Sequence, residues 1–408
     1  MRRPNAAPLL LALAASLALA ACTTTTATTT TATNTTTATN TATPTPAASV
    51  YRFGVVGNRG KIAPLERGTP TVVAGITGKV IQIATSNSDG YALTSAGTVW
   101  AWGVGSYGEL GNGGTSAYVT GAVRVAFPPG VRIVALANPM PFDGALAIDS
   151  LGRAWGWGLD ANGDLCLSGL AELRPSRIPL SDVTAATGAR THSLFDSGGR
   201  VYACGSGQDG VLGDGSTASS STPVQVTGLP TDAARVTALT SSWEGSGALL
   251  SNGAYYDWGY DAAGQLGDGG TADRDVPVQV KLPGAVRQVS QGGSGAANGQ
   301  TVAILADGSV WAWGNGTKGQ LGDGGTADRD VPVKVTMPAG VTFTTVNSGG
   351  YSCYAIDSSG RLWAWGGNQN GQLGTGRGAR IQTTPVDVGI HLAQVSSTAS
   401  NVAGFEQS

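Results

Sequence analysis

Charged residues are scarce in this sequence. They make up 12% of its 408 residues, the formal net charge is −2, and no basic stripe is present that would attract a nucleic acid. Histidine is limited to two residues, and we find no phosphate-binding loop, nucleophile elbow or zinc-ligand spacing. These absences predict a protein that is not an enzyme, binds no nucleic acid, and uses neither a cofactor nor a metal.

Cysteine is also rare, with four residues in the whole chain. Cys166, Cys204 and Cys353 are widely spaced and form no CxxC pattern, which argues against a metal site. Because three is an odd number, at least one of them has no partner within the chain. The sequence leaves open whether Cys166 and Cys204 pair in an oxidising compartment.

No apolar run is long enough to cross a bilayer. The longest, Leu9 to Leu19, follows two arginines and is typical of a signal peptide over residues 1–21. It ends in Leu19-Ala20-Ala21-Cys22, which resembles the bacterial lipobox, and this resemblance implies that Cys22 becomes the acylated first residue. The alternative is an ordinary signal peptide with a chance cysteine. We expect a lipid anchor to be the chain's membrane attachment, with the folded domain outside the cytoplasm at the cell envelope.

Residues 22–49 consist almost entirely of Thr, Ala, Asn and Pro. Such a segment has little apolar surface to bury, so it cannot offset the entropy lost on ordering. The sequence predicts a disordered tether here. It leaves open whether the tether is glycosylated and which membrane and leaflet hold the anchor.

Glycine, in contrast, is abundant, at 63 residues, and it recurs in a repeat. The segment Trp100-Ala101-Trp102-Gly103 returns in full twice and in degenerate form three times, at intervals of about fifty residues. A Gly-Gln/Glu-Leu-Gly segment follows most copies. Alternating strands and a Ser-Ala-Gly turn around the first copy predict four strands per repeat.

The chain contains six complete repeats and two fragments. Residues 390–405 have the pattern of the first two strands of a repeat, and residues 50–73 have that of its second half, with Arg52-Phe53-Gly54 where Ala-Trp-Gly belongs. Joined, the fragments complete a seventh unit from both chain ends. Such a closure removes the exposed edges that an open stack of sheets would leave.

These repeats resemble those of the regulator of chromosome condensation family from about Val50 to Ser408. The resemblance implies an all-β, seven-bladed β-propeller over residues 50–408, with four antiparallel strands per blade and one blade shared by the two termini. The residues expected to pack between blades are Trp102, Gly103, Leu110, Trp258, Gly259, Leu266, Trp313, Gly314, Leu321, Trp365, Gly366 and Leu373.

The loops between the first and second strands vary in length and chemistry, and those between the third and fourth strands open on the same side. Variable loops on a rigid scaffold are common recognition surfaces. The candidate binding residues on this face are Tyr107, Tyr118, Met140, Phe142, Trp243 and Tyr260. We expect a monomeric, non-catalytic module that binds a protein or a cell-surface glycan. The alternatives are guanine-nucleotide exchange, which is the activity of the family's eukaryotic founder, and a glycan-acting enzyme at the central channel.

Overall fold

The computed structural model describes residues 49–54, 71–167, 169–230, 235–293, 295, 298–375, 379–397 and 401–405. These belong to one of the two units into which the chain divides, Thr45–Ser408. Within them, 28 β-strands form seven four-stranded antiparallel sheets. In the described residues no helix is both long and apolar enough to cross a membrane. The seven-bladed propeller expected from the repeats is confirmed. The predicted signal peptide, Cys22 and the tether lie outside the described residues.

Six blades take their strands in sequence order. Blade 1 comprises β3 (Val80–Thr85), β4 (Asp89–Thr94), β5 (Val99–Gly105) and β6 (Ser116–Arg124). Blade 2 comprises β7 (Ile133–Leu136), β8 (Gly144–Asp149), β9 (Ala154–Leu159) and β10 (Ala171–Arg177). Blade 3 comprises β11 (Val183–Gly188), β12 (His192–Ser197), β13 (Arg200–Gly205) and β14 (Ser220–Gln225). Blade 4 comprises β15 (Val236–Ser241), β16 (Gly245–Leu250), β17 (Tyr255–Gly259) and β18 (Arg274–Gln279). Blade 5 comprises β19 (Val286–Gly292), β20 (Gln300–Leu305), β21 (Val310–Gly314) and β22 (Arg329–Lys334). Blade 6 comprises β23 (Phe343–Ser348), β24 (Ser352–Asp357), β25 (Arg361–Gly367) and β26 (Ile381–His391). A short 3-10 helix, Gln208–Gly210, lies between the third and fourth strands of blade 3.

Blade 7 is built from both chain ends, as the sequence predicts. Its sheet runs β27 (Gln394–Ser397), β28 (Asn401–Phe405), β1 (Val50–Gly54) and β2 (Thr71–Val72). The register places Val50 opposite Phe405 and Phe53 opposite Val402. The first strand β27 contacts β3 of blade 1 on one side and β23 of blade 6 on the other, so the ring is closed.

The repeated tryptophans fill the junctions between blades. Trp102, Trp157, Trp258, Trp313 and Trp365 are all less than 2% exposed. The indole Nε1 of Trp157 donates to the Glu109 carbonyl of the preceding blade at 2.9 Å, and Trp365 does the same to Gln320. The junctions of Trp157 and Trp365 therefore combine a large apolar contact with a satisfied indole donor.

Glycine is required at two positions of the repeat. After the tryptophan, Gly103 has φ of 121°, and a Cβ there would lie 2.4 Å from the Ser88 carbonyl oxygen. After the leucine, the glycines have positive φ and lie against the tryptophan ring of the next blade. The glycine–tryptophan pairs are Gly111–Trp157, Gly213–Trp258, Gly267–Trp313 and Gly322–Trp365.

The junction between blades 2 and 3 is built differently. Cys166 stands at the glycine position, with a φ of 53°, and Cys204 at the tryptophan position. The two cysteines form a disulfide, which answers the question that the sequence left open. Cys353 is unpaired and buried, and burial raises the pKa of its thiol to about 12.

Glutamine side chains connect the first strands of some neighbouring blades. Gln394 of blade 7 accepts from the backbone N–H of Ile83 at 3.0 Å and donates to the Ile83 carbonyl at 3.2 Å. Gln82 binds Leu136 of blade 2 in the same two-bond manner, and Gln288 binds Val346 of blade 6. Gln82 and Gln288 each follow a bulge at the start of their strands, whereas Gln394 is the first residue of β27.

Most fourth strands, which form the rim of the propeller, contain a proline. These are Pro175, Pro223, Pro277, Pro332 and Pro385. Blade 1 has Ala122 at this position, and its backbone N–H donates to the Ala74 carbonyl at 2.8 Å. At this position of the rim strand, the backbone therefore either lacks an N–H, because the residue is proline, or has an N–H that is already hydrogen-bonded.

Candidate functional site

The connections between first and second strands converge around the propeller axis. They surround an open axial depression to which all seven blades contribute. Its described lining consists of Asn87, Pro139, Met140, Phe142, Gly188, Ala189, Arg190, Ser241, Ser242, Trp243, Gln291, Gly292, Gly293, Ser348, Gly349 and Ser397. We call this end of the blades the loop face, and the opposite end, with the turns between second and third strands, the turn face.

Backbone hydrogen bonds hold the blade 2 loop at the depression. Met140 N–H donates to the Thr85 carbonyl of blade 1 at 3.1 Å, and Phe142 N–H donates to the Ala189 carbonyl of blade 3 at 3.0 Å. Asn87 N–H in turn donates to the Phe142 carbonyl at 3.2 Å. Because the loop is bonded to both neighbouring blades, its side chains are positioned before any ligand arrives.

An aromatic cluster with one cation forms part of the wall. Phe142 and Trp243 meet edge to face, with ring centroids 5.3 Å apart. The Arg190 guanidinium lies 3.9 Å from the Trp243 ring centroid and 5.3 Å from that of Phe142. Both rings are half-buried and Arg190 is exposed, so the cluster presents apolar area and a positive charge to a ligand.

The floor of the depression is polar. Gln291 is 4% exposed, and its Nε2 donates to the Asp257 carboxylate at 2.6 Å. Its Oε1 has no hydrogen-bond partner among the described residues. Burial raises the pKa of Asp257 well above its usual range, and the nearby Asp261 adds to the rise. The floor therefore offers one buried amide oxygen as an acceptor.

The lining residues offer mainly uncharged groups that can contact a ligand. Among those that the structure describes, Arg190 is the only ionisable group; the others offer hydroxyls, amides, backbone groups and aromatic rings. No three His, Cys, Asp or Glu residues of the described part are grouped to hold a metal ion.

Three of the six residues selected from the sequence line the axial depression: Met140, Phe142 and Trp243. Met140 is 3% exposed and its sulfur accepts from Leu146 N–H at 3.3 Å, so it contributes mainly to packing. Tyr260 borders a separate, smaller pocket that is also lined by Trp243 and Glu244.

The other two tyrosines lie elsewhere. Tyr107 is 38% exposed on the loop between the third and fourth strands of blade 1, outside the depression. Tyr118 lies on the rim strand β6, and its hydroxyl accepts a hydrogen bond from Arg52 of blade 7 at 3.1 Å. Tyr118 thus helps to join blades 1 and 7.

Arg190 and Gln291 were missed by the sequence reasoning. Arg190 lies in the connection between β11 and β12, whereas Gln291 is the second-last residue of strand β19. The residues predicted in these connections were aromatic side chains and Met140, so a lone charged residue such as Arg190 was not among them. Their convergence, however, depends on the closed ring.

The two faces of the propeller differ in charge. At the turn face, the cations that are at least partly exposed are Lys79, Arg124, Arg132, Arg153, Arg177, Arg200, Arg235, Lys281, Arg287, Lys334 and Arg361, and the acids are Asp182, Asp307 and Asp387. At the loop face, the acids are Asp143, Glu172, Asp209, Asp214, Glu244, Asp268, Asp273, Asp275, Asp323, Asp328 and Asp330, and the cations are Arg174, Arg190, Arg274, Lys318, Arg329 and Arg380. The sequence shows no basic stripe, yet the fold places eleven of the described, at least partly exposed cations at the turn face and six at the loop face.

Comparisons with known proteins agree with this architecture. A family model described as "Regulator of chromosome condensation (RCC1) repeat" matches residues 198–249, 252–297, 307–356 and 359–401, and a second model of the same description matches residues 343–372. The crystal structure of Prp20p from Saccharomyces cerevisiae superposes with a TM-score of 0.74 at 19% identity, covering 89% of this chain and 92% of that one.

Two plant proteins are similar in sequence. The ultraviolet-B receptor UVR8 of Arabidopsis thaliana is 28% identical over 323 residues, which cover 76% of this chain and 70% of the relative. The mitochondrial RCC1 domain-containing protein RUG3 of the same plant is 30% identical over 312 residues, covering 72% and 67%. With its repeats, its closed seven-bladed ring and these relatives, the chain belongs to the family of regulator of chromosome condensation (RCC1) repeat proteins.

Proposed function

We propose that this protein is a non-catalytic binding module that recognises a protein partner through the axial depression. We further propose that a lipid on Cys22 anchors it to a bacterial membrane, with the propeller outside the cytoplasm. In this arrangement the segment 22–49 acts as the tether.

The observation that carries the binding proposal is the cluster of Phe142, Trp243 and Arg190 at the depression. Tryptophan and arginine are enriched among residues that dominate protein–protein binding energies, especially when they are central and surrounded by other contacts. The Phe142 loop is fixed by hydrogen bonds to two neighbouring blades, so little conformational entropy is lost on binding.

Relatives support the same class of function. Prp20p has been described with its binding to Gsp1p and histones, both of which are proteins. At 19% identity, however, the likeness extends to the fold, and a fold supports many functions. Any inference about the partner of this chain must therefore be drawn from the residues that line its own depression.

The disulfide supports the proposed location. Disulfides persist in oxidising compartments outside the cytoplasm and are rare within it. Cys166 and Cys204 are bonded and buried in this protein. An exported domain, which the signal peptide and lipobox resemblance predict, would meet that condition.

The binding proposal is tested with immobilised full chain, comparing wild type with Trp243→Ala. Captured envelope proteins are identified by mass spectrometry, and the best candidate is then titrated by calorimetry. We expect Trp243→Ala to weaken its binding by about 1–2 kcal/mol, which is roughly a 5- to 30-fold rise in Kd.

Trp311→Ala serves as the matched control. Trp311 is also half-buried, but it lies on β21 near the turn face, with its Nε1 bonded to Ser309 Oγ at 3.0 Å. An equal loss in both variants, or an unchanged Kd with Trp243→Ala, would refute the proposal. If no protein is captured and the chain binds a glycan array in a manner that depends on Trp243, the ligand is a sugar and the proposal of a protein partner is wrong.

The anchor is tested separately. Cys22→Ser in the full chain should move the protein from the detergent phase to the aqueous phase in Triton X-114 partitioning, because two or more acyl chains are lost. Unchanged partitioning would show that Cys22 carries no lipid.

A further inference from the structure

We propose that the turn face is a docking surface for anionic lipid headgroups, which holds the propeller against the membrane with its loop face outward. The orientation rests on the proposed lipid anchor at Cys22. The charge complementarity rests on the fold alone.

The first argument is the segregation of charge. Among described residues, at least partly exposed cations outnumber such acids eleven to three at the turn face, and acids outnumber cations eleven to six at the loop face. With a net charge of −2 over the whole sequence, the protein therefore has a strong charge asymmetry along its axis. Such an asymmetry orients a body at a charged surface.

The cations of the turn face are largely available to a ligand. In the described part of the chain, two ion pairs within 4 Å occur there, Arg153 with Asp149 and Arg361 with Asp387. Asp149 and Asp357 also lie at this end, where they are buried and hydrogen-bonded to tryptophan Nε1 groups. Hydrogen bonds lower the pKa of both carboxyls, so both are ionised and offset two of the positive charges at this face. A surplus of positive charge nevertheless remains there.

The cations are also spread around the ring. Arg124 ends the rim strand of blade 1, Arg177 that of blade 2 and Lys334 that of blade 5, whereas Arg235 precedes the first strand of blade 4. A broad, flat distribution fits a surface of many headgroups better than it fits a single phosphate, which needs converging donors.

The second argument is the point where the chain enters the propeller. Val50 begins β1 opposite Phe405, which in turn lies opposite Gln394 at the start of β27. These strand ends are at the turn face, so the preceding segment joins the domain on its basic side. A lipid anchor at the far end of that segment would bring this side towards the membrane.

The predicted tether is short enough for the contact to form. As a random coil, its 28 residues from Cys22 to Ser49 would span about 30 Å. Tethering at this distance gives an effective concentration in the millimolar range. The membrane-bound state of the propeller would therefore be populated even if the electrostatic attraction is weak. The attraction acts within a Debye length, which is about 8–10 Å at physiological salt.

The test uses the processed chain, residues 22–408, carrying Cys22→Ser so that no acyl chain contributes. Its co-sedimentation is measured with vesicles of 30% phosphatidylglycerol in phosphatidylcholine and with vesicles of phosphatidylcholine alone. We expect binding to the anionic vesicles at 0.1 M salt, loss of most of it at 0.5 M salt, and none to the neutral vesicles. Equal binding to both vesicles, or no effect of salt, would overturn the proposal.

Two charge-reversed variants with the same net charge locate the surface. The turn-face variant is Arg124→Glu, Arg177→Glu and Arg235→Glu, and the loop-face variant is Arg174→Glu, Lys318→Glu and Arg380→Glu. We expect at least a tenfold lower vesicle partition coefficient for the first and a change within twofold for the second. Equal losses would overturn the proposal. If the turn-face variant does not fold, the corresponding glutamine variant replaces it.

Soluble polyphosphate is the third arm. Binding to polyphosphate without binding to the anionic vesicles would assign the surface to a soluble polyanion and overturn the lipid proposal. Since this assay contains no acylated protein, its failure is distinct from a failure of the Cys22→Ser partitioning experiment.

Discussion

Removal of the disulfide should show how much one blade junction contributes to the stability of the whole ring. Cys166 and Cys204 stand where four other junctions have glycine and tryptophan, so the bond replaces a packing contact. We predict that Cys166→Ala with Cys204→Ala, or reduction of the wild type, destabilises the propeller. The variant itself should not respond to reductant.

The loss can be estimated from the chain. The bond closes a segment with a sequence separation of 38 residues, for which the loop-entropy relation gives about 4 kcal/mol at 25 °C. With an unfolding entropy of about 2.1 cal/mol/K per residue over roughly 350 residues, this corresponds to a fall in Tm of about 5 °C. The cavity left by the two sulfur atoms adds to the loss.

The assay is differential scanning calorimetry with and without reductant, with thiol titration to confirm that the bond is broken. In the chain of residues 22–408 carrying Cys22→Ser, titration under denaturing conditions should give three thiols when reduced and one, Cys353, when oxidised. Reduction without any change in Tm would refute the claim that the bond holds the junction together.

A second variant tests the equivalence of the two kinds of junction. Cys166→Gly with Cys204→Trp restores the residues found at the other junctions, and glycine relieves the left-handed φ of 53° at position 166 at a gain of about 1 kcal/mol. We expect it to be more stable than the double alanine variant by at least about 2 kcal/mol, from indole burial and strain relief together. A lower stability would show that this junction has no space for the indole.

Three further predictions concern the ring and its buried charge. Truncation after residue 397 removes β28, which joins β27 to β1. We expect the truncated chain to show no cooperative unfolding transition when its circular dichroism is measured against temperature. A sharp transition at the parent Tm would contradict the role of that strand. Gln394→Ala should cost about 1–2 kcal/mol in urea unfolding, because it leaves the Ile83 N–H and carbonyl without their partners; an unchanged midpoint would count against this. Burial, together with the nearby Asp160, raises the pKa of Asp164 to about 7. The folded state therefore holds a proton on Asp164 that the unfolded state releases near pH 4. As a result, the free energy of unfolding of the wild type declines as pH rises from about 4 to about 7. Asp164→Asn should therefore gain stability relative to wild type between about pH 4 and about pH 7, and a constant difference over this range would refute the assignment.

The repeat pattern made the fold predictable. Trp102 and Gly103 recur with a spacing that suits one four-stranded unit, and the terminal fragments around Phe53 and Ala403 carry complementary halves of another. Such local signals recur in the sequence because five of the seven blades pack through a buried indole at the same position, and most of these contacts also use the same glycine and leucine. The register of Phe53 with Val402 confirms the closure.

The candidate site was predictable only in part, because its residues come from different blades. Phe142 and Trp243 were selected as aromatics in variable loops, but nothing in the linear sequence places Arg190 over the Trp243 ring. Their contact depends on the angle between neighbouring blades, which follows from the closed ring. Tyr118 shows the converse: it is aromatic and follows a long loop, yet its hydroxyl bonds Arg52 at a blade junction.

The prolines of the rim strands limit how this protein can associate. A strand from another chain would need a ladder of free N–H donors along an outer edge, and Pro223, Pro277 and Pro332 interrupt that ladder. Neighbouring copies could therefore touch edge to edge without fusing into a continuous sheet. Molecules packed side by side would stay independent of one another, each free to rotate about its own axis.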